Sequence, residues 1–143
     1  DEFLGLDTVP VWRFIIEWQG RDVGNIEYSH PYADTDYLWT AGIDIFIGEP
    51  EARNRGVGTE AVRTLLQYLF EVKRLHRVTI DPEVDNARAI RSYEKAGFLL
   101  DGVLRHNDRF EDGRYADTHF MSILDDEWLA AKARWEAEVS SQG

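Results

Sequence analysis

The run Arg53-Asn54-Arg55-Gly56-Val57-Gly58-Thr59 places two glycines between an extended apolar stretch and a long amphipathic pattern. It reads as strand, turn and helix. Glycine lets a backbone come close to a ligand, and the first turn of a helix has unpaired N–H groups with partial positive charge, so pyrophosphate suits this turn; plain chain punctuation is the other reading. Asp44 is a second group that could do chemistry, a carboxylate inside the apolar run 39–47. Desolvating a carboxylate is costly without a partner and raises its proton affinity, which makes Asp44 a candidate base unless it caps a bulge or pairs with an arginine. His30, His76, His106 and His119 are scattered without metal-ligand spacing, so no metal is expected. His106 and His119 are expected to face each other across the closing hairpin, as a structural pair or as catalytic groups.

The elements that must position these residues follow from periodicity. Residues 1–10 read as an irregular arm ending at Pro10. Residues 11–18 and 23–28 form a hairpin about the turn 19–22, and residues 32–36 read as a loop. In 39–47, alternation puts Trp39, Ala41, Ile43, Ile45 and Ile47 on one face and Thr40, Gly42, Asp44 and Phe46 on the other. Apolar residues then recur at helical spacing through 57–72. A short strand over 76–80 places Arg77, Thr79 and Asp81 on one side, and Pro82 ends it. Asp85 or Asn86 caps a second helix that stops at Gly97. Strands 99–109 and 114–124 flank an Asp112-Gly113 hairpin signal, and acids at Asp125, Asp126 and Glu127 open a last helix over 125–143 with Trp128, Ala131 and Trp135 on one side.

With 143 residues, 43% hydrophobic and 13% aromatic, the chain fits one compact domain over 1–143. No apolar run suits a bilayer span and no basic-then-apolar leader opens the chain, so a soluble, cytoplasmic protein is expected. Zero cysteine excludes disulfides, thiolate nucleophiles and cysteine-ligated zinc. A net charge of −11 argues against nucleic acid and anionic membrane as partners. Residues 1–51 carry 11 acidic and 2 basic side chains, residues 52–98 carry 6 and 9, and residues 99–143 carry 10 and 5, so the glycine turn sits in the only basic third. That division fits a polyanionic cofactor beside a cationic substrate, or an acidic surface that merely keeps the protein in solution.

Downstream of the turn comes Asp85-Asn86-Ala87-Arg88-Ala89-Ile90-Arg91-Ser92-Tyr93-Glu94-Lys95-Ala96-Gly97-Phe98. Together the two stretches resemble the acetyl-CoA-binding core of the GNAT superfamily of N-acetyltransferases. The resemblance implies an α/β (α+β) fold with a mixed, mostly antiparallel sheet and flanking helices, entered here at the family's second strand; the family's N-terminal strand and helices are not evident in these residues. Gly42-Ile43-Asp44, the glycine turn and the segment from Asp81-Pro82 to Phe98 look like the aminoglycoside 6'-N-acetyltransferases. The closing part, with Asp112-Gly113, Asp117 and Asp126-Glu127-Trp128, also looks like acetyltransferases of ribosomal-protein N-termini.

The family pattern implies roles. Ile45, Phe46 and Ile47 would lie along the pantetheine arm, the N–H groups from Arg55 through Gly56, Val57, Gly58 and Thr59 would hold pyrophosphate, and Arg53 and Arg55 would add charge. Asn86, Ala89 and Lys95 complete the implied cofactor set. Tyr93 would be the general acid toward sulfur, or else a core aromatic. Asp44 would serve the attacking amine as base and electrostatic partner. Asp81 would bind another ammonium. Asp34, Asp36 and Trp39 would wall a polycation, or be a solvated loop and a core aromatic. The implied reaction is acetyl transfer from acetyl-CoA to a cationic amine such as an aminoglycoside, by a monomer or homodimer; N-terminal or polyamine acetylation and a non-catalytic CoA or cation sensor are the alternatives.

Overall fold

The computed structural model describes residues 11–30 and 38–142. The arm expected over 1–10 and the loop holding Asp34 and Asp36 lie outside the described residues. Strands β1 (Val11–Trp18) and β2 (Arg21–Ser29) form the expected hairpin. Its turn is tighter than expected. Gln19 and Gly20 have φ of 52° and 74°, a left-handed pair whose twist matches the flanking strands, so Arg21 and Asp22 already belong to β2.

Strand β3 (Thr40–Ile47) adds antiparallel to β2, with Glu27 opposite Asp44. A single 3-10 turn at Pro50–Ala52 leads to helix α1 (Val57–Gln67). The helical pattern expected to continue to residue 72 opens into one wider turn at Tyr68–Val72, where the Lys73 N–H reaches the Tyr68 carbonyl at 3.1 Å. That turn keeps Leu69 and Phe70 in the core beside Leu65 and Leu66. The remaining elements are β4 (Arg77–Ile80), α2 (Ala87–Ala96), β5 (Leu99–Arg109), β6 (Tyr115–Leu124) and α3 (Asp125–Gln142).

The six strands lie in the order β1-β2-β3-β4-β6-β5, and only β3 and β4 are parallel. One sheet face, including Ile26, Tyr28, Ile43, Val78, Ile80, Met121 and Ile123, is buried in the single core cluster with α1, α2 and α3. Helix α3 is fixed by its aromatics. The Trp128 indole N–H donates to Glu71 at 3.1 Å, the Trp135 indole N–H donates to the Lys95 carbonyl at 3.2 Å, and the two rings meet edge to face. No helix among the described residues is long and apolar enough to cross a membrane.

In the outer hairpin, β5 is bulged. Leu104 faces Thr118 and Asp108 faces Ala116, so Arg105, His106 and Asn107 share Asp117 as their opposite number. The bulge breaks the expected histidine pair. His119 lies opposite Val103, and the His106 ring stacks on Tyr115 with centroids 5.3 Å apart.

Gly97 ends α2 with φ of 113°, and a Cβ there would come within 2.9 Å of both Ala131 Cβ and Ile123 Cδ1. Gly97→Ala should therefore cost about 2 kcal/mol, from strain plus collision between α3 and β6. Urea unfolding would measure it, and an unchanged midpoint would mean that α3 is not seated as described.

Candidate active site

Parallel pairing of β3 with β4 lasts for three residue pairs only: Thr40 with Arg77, Ala41 with Val78 and Gly42 with Thr79. Beyond them the strands part. After Ile80 the chain continues the antiparallel register that β4 keeps with β6: the Pro82 carbonyl accepts from His119 at 2.8 Å, Glu83 bridges Thr118 and the Val84 N–H donates to Asp117 at 3.0 Å. Strand β3 runs on to Ile47 with β2 as its one strand neighbour among the described residues. Its exposed edge is met by side chains: the Ile45 N–H donates to Asp44 Oδ1 at 2.9 Å, and Arg53 donates to the Ile47 carbonyl through Nε at 3.1 Å and Nη2 at 3.0 Å.

Two recesses open from this cleft. The first, of about 600 Å³, is lined by Ile45, Phe46 and Ile47 from β3, by Arg53, Gly56, Gly58 and Thr59 at the start of α1, and by Asn86, Ala89 and Lys95 of α2. Arg88 and Arg91 also line it, and among the described residues no carboxylate does. Gly56 precedes α1 with φ of 78° and no side chain caps that helix, which leaves its first N–H groups available. Thr59 is tied to Ser92 by a hydroxyl contact of 2.7 Å that joins α1 to α2. Val57 is buried in the core, so only its backbone can serve the turn. Arg55 does not line this recess; it borders a separate groove between β1 and α1.

The second recess, of about 560 Å³, carries the opposite charge. Glu27, Asp44, Asp81, Glu83 and Asp108 line it without a lysine or arginine. Ile45, Asn86 and Tyr93 border both recesses. Trp39 is half exposed and borders neither, while its carbonyl accepts from the N–H groups of His76 and Arg77 at 2.9 and 3.1 Å.

A family model of the acetyltransferase (GNAT) domain matches residues 6–105. The chain belongs to the GNAT acetyltransferase family. It is similar to the aminoglycoside N(6')-acetyltransferase type 1 of Klebsiella pneumoniae, at 39% identity over 105 residues, which are 68% of this chain and 52% of that one. It is also similar to the spermidine N(1)-acetyltransferase of Escherichia coli K12, at 28% identity over 121 residues, 82% of this chain and 61% of that one. The chain thus spans between half and two thirds of the length of these curated relatives. Among solved structures, an acetyltransferase from T. thermophilus superposes with a TM-score of 0.79 at 29% identity, covering 90% of this chain and 66% of that one. The spermidine N-acetyltransferase from Vibrio cholerae in complex with CoA and spermine gives 0.71 at 28% identity, covering 83% and 68%.

Within this GNAT cleft, Asp44 finds no arginine. Arg13 is spent on Glu27 at 2.7 Å, and Asp44 accepts only the N–H of its own neighbour. Burial by the flanking walls raises the Asp44 pKa, the Ile45 N–H pulls it back, and Glu27, Asp81 and Asp108 push it up again. Asp81 is raised chiefly by desolvation, against a lowering hydrogen bond from Asn107. Tyr93 is buried at the boundary and shifted far upward by desolvation first and then by Asp44, Glu83 and Asp81, so its phenol keeps its proton. Asn86 caps α2 by accepting the Ala89 N–H at 3.2 Å, leaving its amide NH₂ for the cleft.

Sequence reading missed Glu27, Glu83, Asn107 and Asp108. Glu27 lies opposite Asp44 in the β2–β3 pairing, a register that the long connection between Ser29 and Thr40 leaves unmarked in the sequence. Glu83 continues the alternation of Arg77, Thr79 and Asp81 beyond Pro82, where the strand is expected to end, and Asp108 follows a bulge that carries no periodic signal.

Glu83 is raised first by a hydrogen bond shared with the Asp108 carboxyl. A carboxyl raised in the folded state adds stability below the unfolded value of about 4.3, and loses that contribution as pH climbs through the raised value. At about pH 7 the pair is repulsive. Glu83→Gln should raise the melting temperature there by about 2 °C and lose the gain near pH 4, as thermal unfolding at the two pH values would report. An equal gain at both would show that the carboxylates do not repel.

Proposed function

We propose that this chain transfers an acetyl group from acetyl-CoA to a primary amine of a cationic small molecule, with the 6'-amine of an aminoglycoside as the favoured acceptor. The observation that supports it is the partition of charge: a cationic recess with an uncapped helix start adjoins a purely anionic one, and the two share Ile45, Asn86 and Tyr93. A nucleotide pyrophosphate suits the first and an ammonium the second.

The residues fit acetyl-CoA. The N–H groups of Gly56, Val57, Gly58 and Thr59 open toward its pyrophosphate, with Arg53 and Lys95 supplying charge, while the edge of β3 from Ile45 to Ile47, Phe46 included, would lie along the pantetheine once Asp44 and Arg53 release the Ile45 N–H and the Ile47 carbonyl that they now hold. Asn86 and Ala89 lie along the same wall. When bound, acetyl-CoA supplies the thioester. Arg55 lies outside this recess and contributes long-range charge at most.

An acceptor amine arrives as ammonium, with a pKa near ~10 by analogy with lysine. Asp44 holds that cation at the mouth of the acidic recess and receives its proton directly or through water, its raised proton affinity narrowing the gap. Tyr93 stands where the recesses meet and hands its proton to the departing sulfur, its elevated pKa keeping it protonated throughout the working range. Asp81 binds a further ammonium of the acceptor. Trp39 lies away from both recesses, which leaves the polycation wall to carboxylates.

Polyamine acetylation is a second reading, supported by the spermidine relative over 121 residues and by the same carboxylates. Free-thiol release from acetyl-CoA with kanamycin, spermidine or a peptide acceptor ranks the readings. Calorimetric CoA binding with no turnover of any amine would leave a sensor.

Asp44→Asn should lower kcat about 100-fold with CoA affinity kept, and the parent's rate should fall on the acid side as a carboxylate of raised proton affinity takes up its proton. Tyr93→Phe should slow transfer about tenfold or more. Steady-state kinetics across pH check both, and a parent-like Asp44→Asn profile would remove that carboxylate from the reaction.

A further inference from the structure

Asn107 has no place in the chemistry above, yet it makes the one side-chain hydrogen bond that reaches Asp81 among the described residues. Its Nδ2 donates to Asp81 Oδ2 at 2.9 Å and to Thr118 Oγ1 at 3.1 Å. Asn107 reaches Asp81 from β5, two strands away from β4 in the sheet order, because of the bulge. Regular antiparallel pairing would alternate residues 105–107 across the sheet face, whereas here all three oppose Asp117. The bulge is pinned from β6: the His106 N–H donates to Asp117 Oδ1 at 2.9 Å, and His106 accepts a left-handed φ of 49° that non-glycine residues seldom adopt. Thr118, which receives the second Asn107 bond, is fully buried, so the amide is anchored at one end to the rigid sheet.

We infer that Asn107 is a positioning residue for the acceptor site: held by the Asp117-pinned bulge, it fixes the Asp81 carboxylate in the orientation that receives the second ammonium of a polycationic acceptor. This rests on the acetyl-transfer reading. Asp81 faces repulsion from Asp108 in the same recess, and an unrestrained carboxylate would swing toward bulk water. The Asn107 amide opposes that rotation with a neutral donor, so it holds Asp81 in place without neutralising the charge that attracts the acceptor. An arginine at this position would hold Asp81 as well and cancel its charge. The bulge would thus select acceptors with two or more ammonium groups, separately from the acetyl transfer at Asp44 and Tyr93.

The experiment measures kcat and KM with kanamycin and spermidine for the parent, Asn107→Ala, Asp81→Asn and the double variant, alongside calorimetry with CoA. Asn107→Ala should raise KM about fivefold for an acceptor that uses Asp81, with kcat and CoA affinity within about twofold of the parent. In the Asp81→Asn background it should add nothing further, since a residue acting through Asp81 has nothing left to position. An unchanged KM, or a penalty that multiplies with that of Asp81→Asn, overturns the inference. Should Asn107→Ala fail to fold, Asp117 gives the same reading: Asp117→Ala should raise KM, and Asp117→Asn, whose carbonyl can still accept the His106 N–H, should restore it. Equal effects of these two overturn it as well. A parent that binds CoA and acetylates neither acceptor overturns the acetyl-transfer reading itself, whereas a parent that turns over with an Asn107→Ala variant identical to it removes only the role of Asn107.

Discussion

Strands β3 and β4 stay together for three residue pairs and then separate, and this interrupted ladder creates the cleft. A backbone that leaves a ladder must find other partners for its N–H and C=O groups. The chain after β4 keeps the partner it already has, since Pro82, Glu83 and Val84 continue the antiparallel register on β6. Strand β3 cannot follow, because β2 holds it from Gly24 to Ser29. Its outer edge is completed by two side chains, Asp44 and Arg53, that bond to Ile45 and Ile47. The sheet therefore carries its gap where a polar backbone edge, a helix start and a carboxylate come together.

Charge then divides the gap. The chain's net charge of −11 conceals a local arrangement in which the basic third builds one recess while carboxylates from β2, β3, β5 and the segment after β4 build the other. Desolvation raises the proton affinities of Asp44 and Asp81 and the shared hydrogen bond with Asp108 raises that of Glu83, and neighbouring carboxylates add to all three. A cation entering the acidic recess would relieve the mutual repulsion, so the same carboxylates that strain the empty fold favour an ammonium guest. Tyr93, at the boundary, holds its proton more strongly through burial first and the neighbouring carboxylates second.

Much of this frame was legible in the residues. Alternation over 39–47 placed Asp44 on the face opposite Ile43, helical spacing from Val57 placed the long helix behind the sheet, and Asn86 and Gly97 marked both ends of α2, where capping and a left-handed φ are found. Local signals sufficed because those features are set by local backbone rules. The register of distant strands is different. Glu83 and Asp108 meet because one continues the β4–β6 register past Pro82, where the strand is expected to end, and the other follows a bulge that has no periodic signature. Arg55 was assigned to the pyrophosphate by its place in the turn, yet it borders the groove on the other side of α1, since the left-handed φ at Gly56 turns the chain between them. Trp39 followed the strand's alternation on paper but precedes its first paired residue.

Among the described residues, Ile45, Asn86 and Tyr93 border both recesses, and the chain has no cysteine in which an acyl group could be stored. Under the proposed reading, donor and acceptor must therefore occupy the protein at the same moment, and hand-over takes place through the window beside those residues. Double-reciprocal plots at several fixed donor concentrations would then intersect rather than run parallel, and a dead-end analogue in one chamber would leave the other open to its own guest.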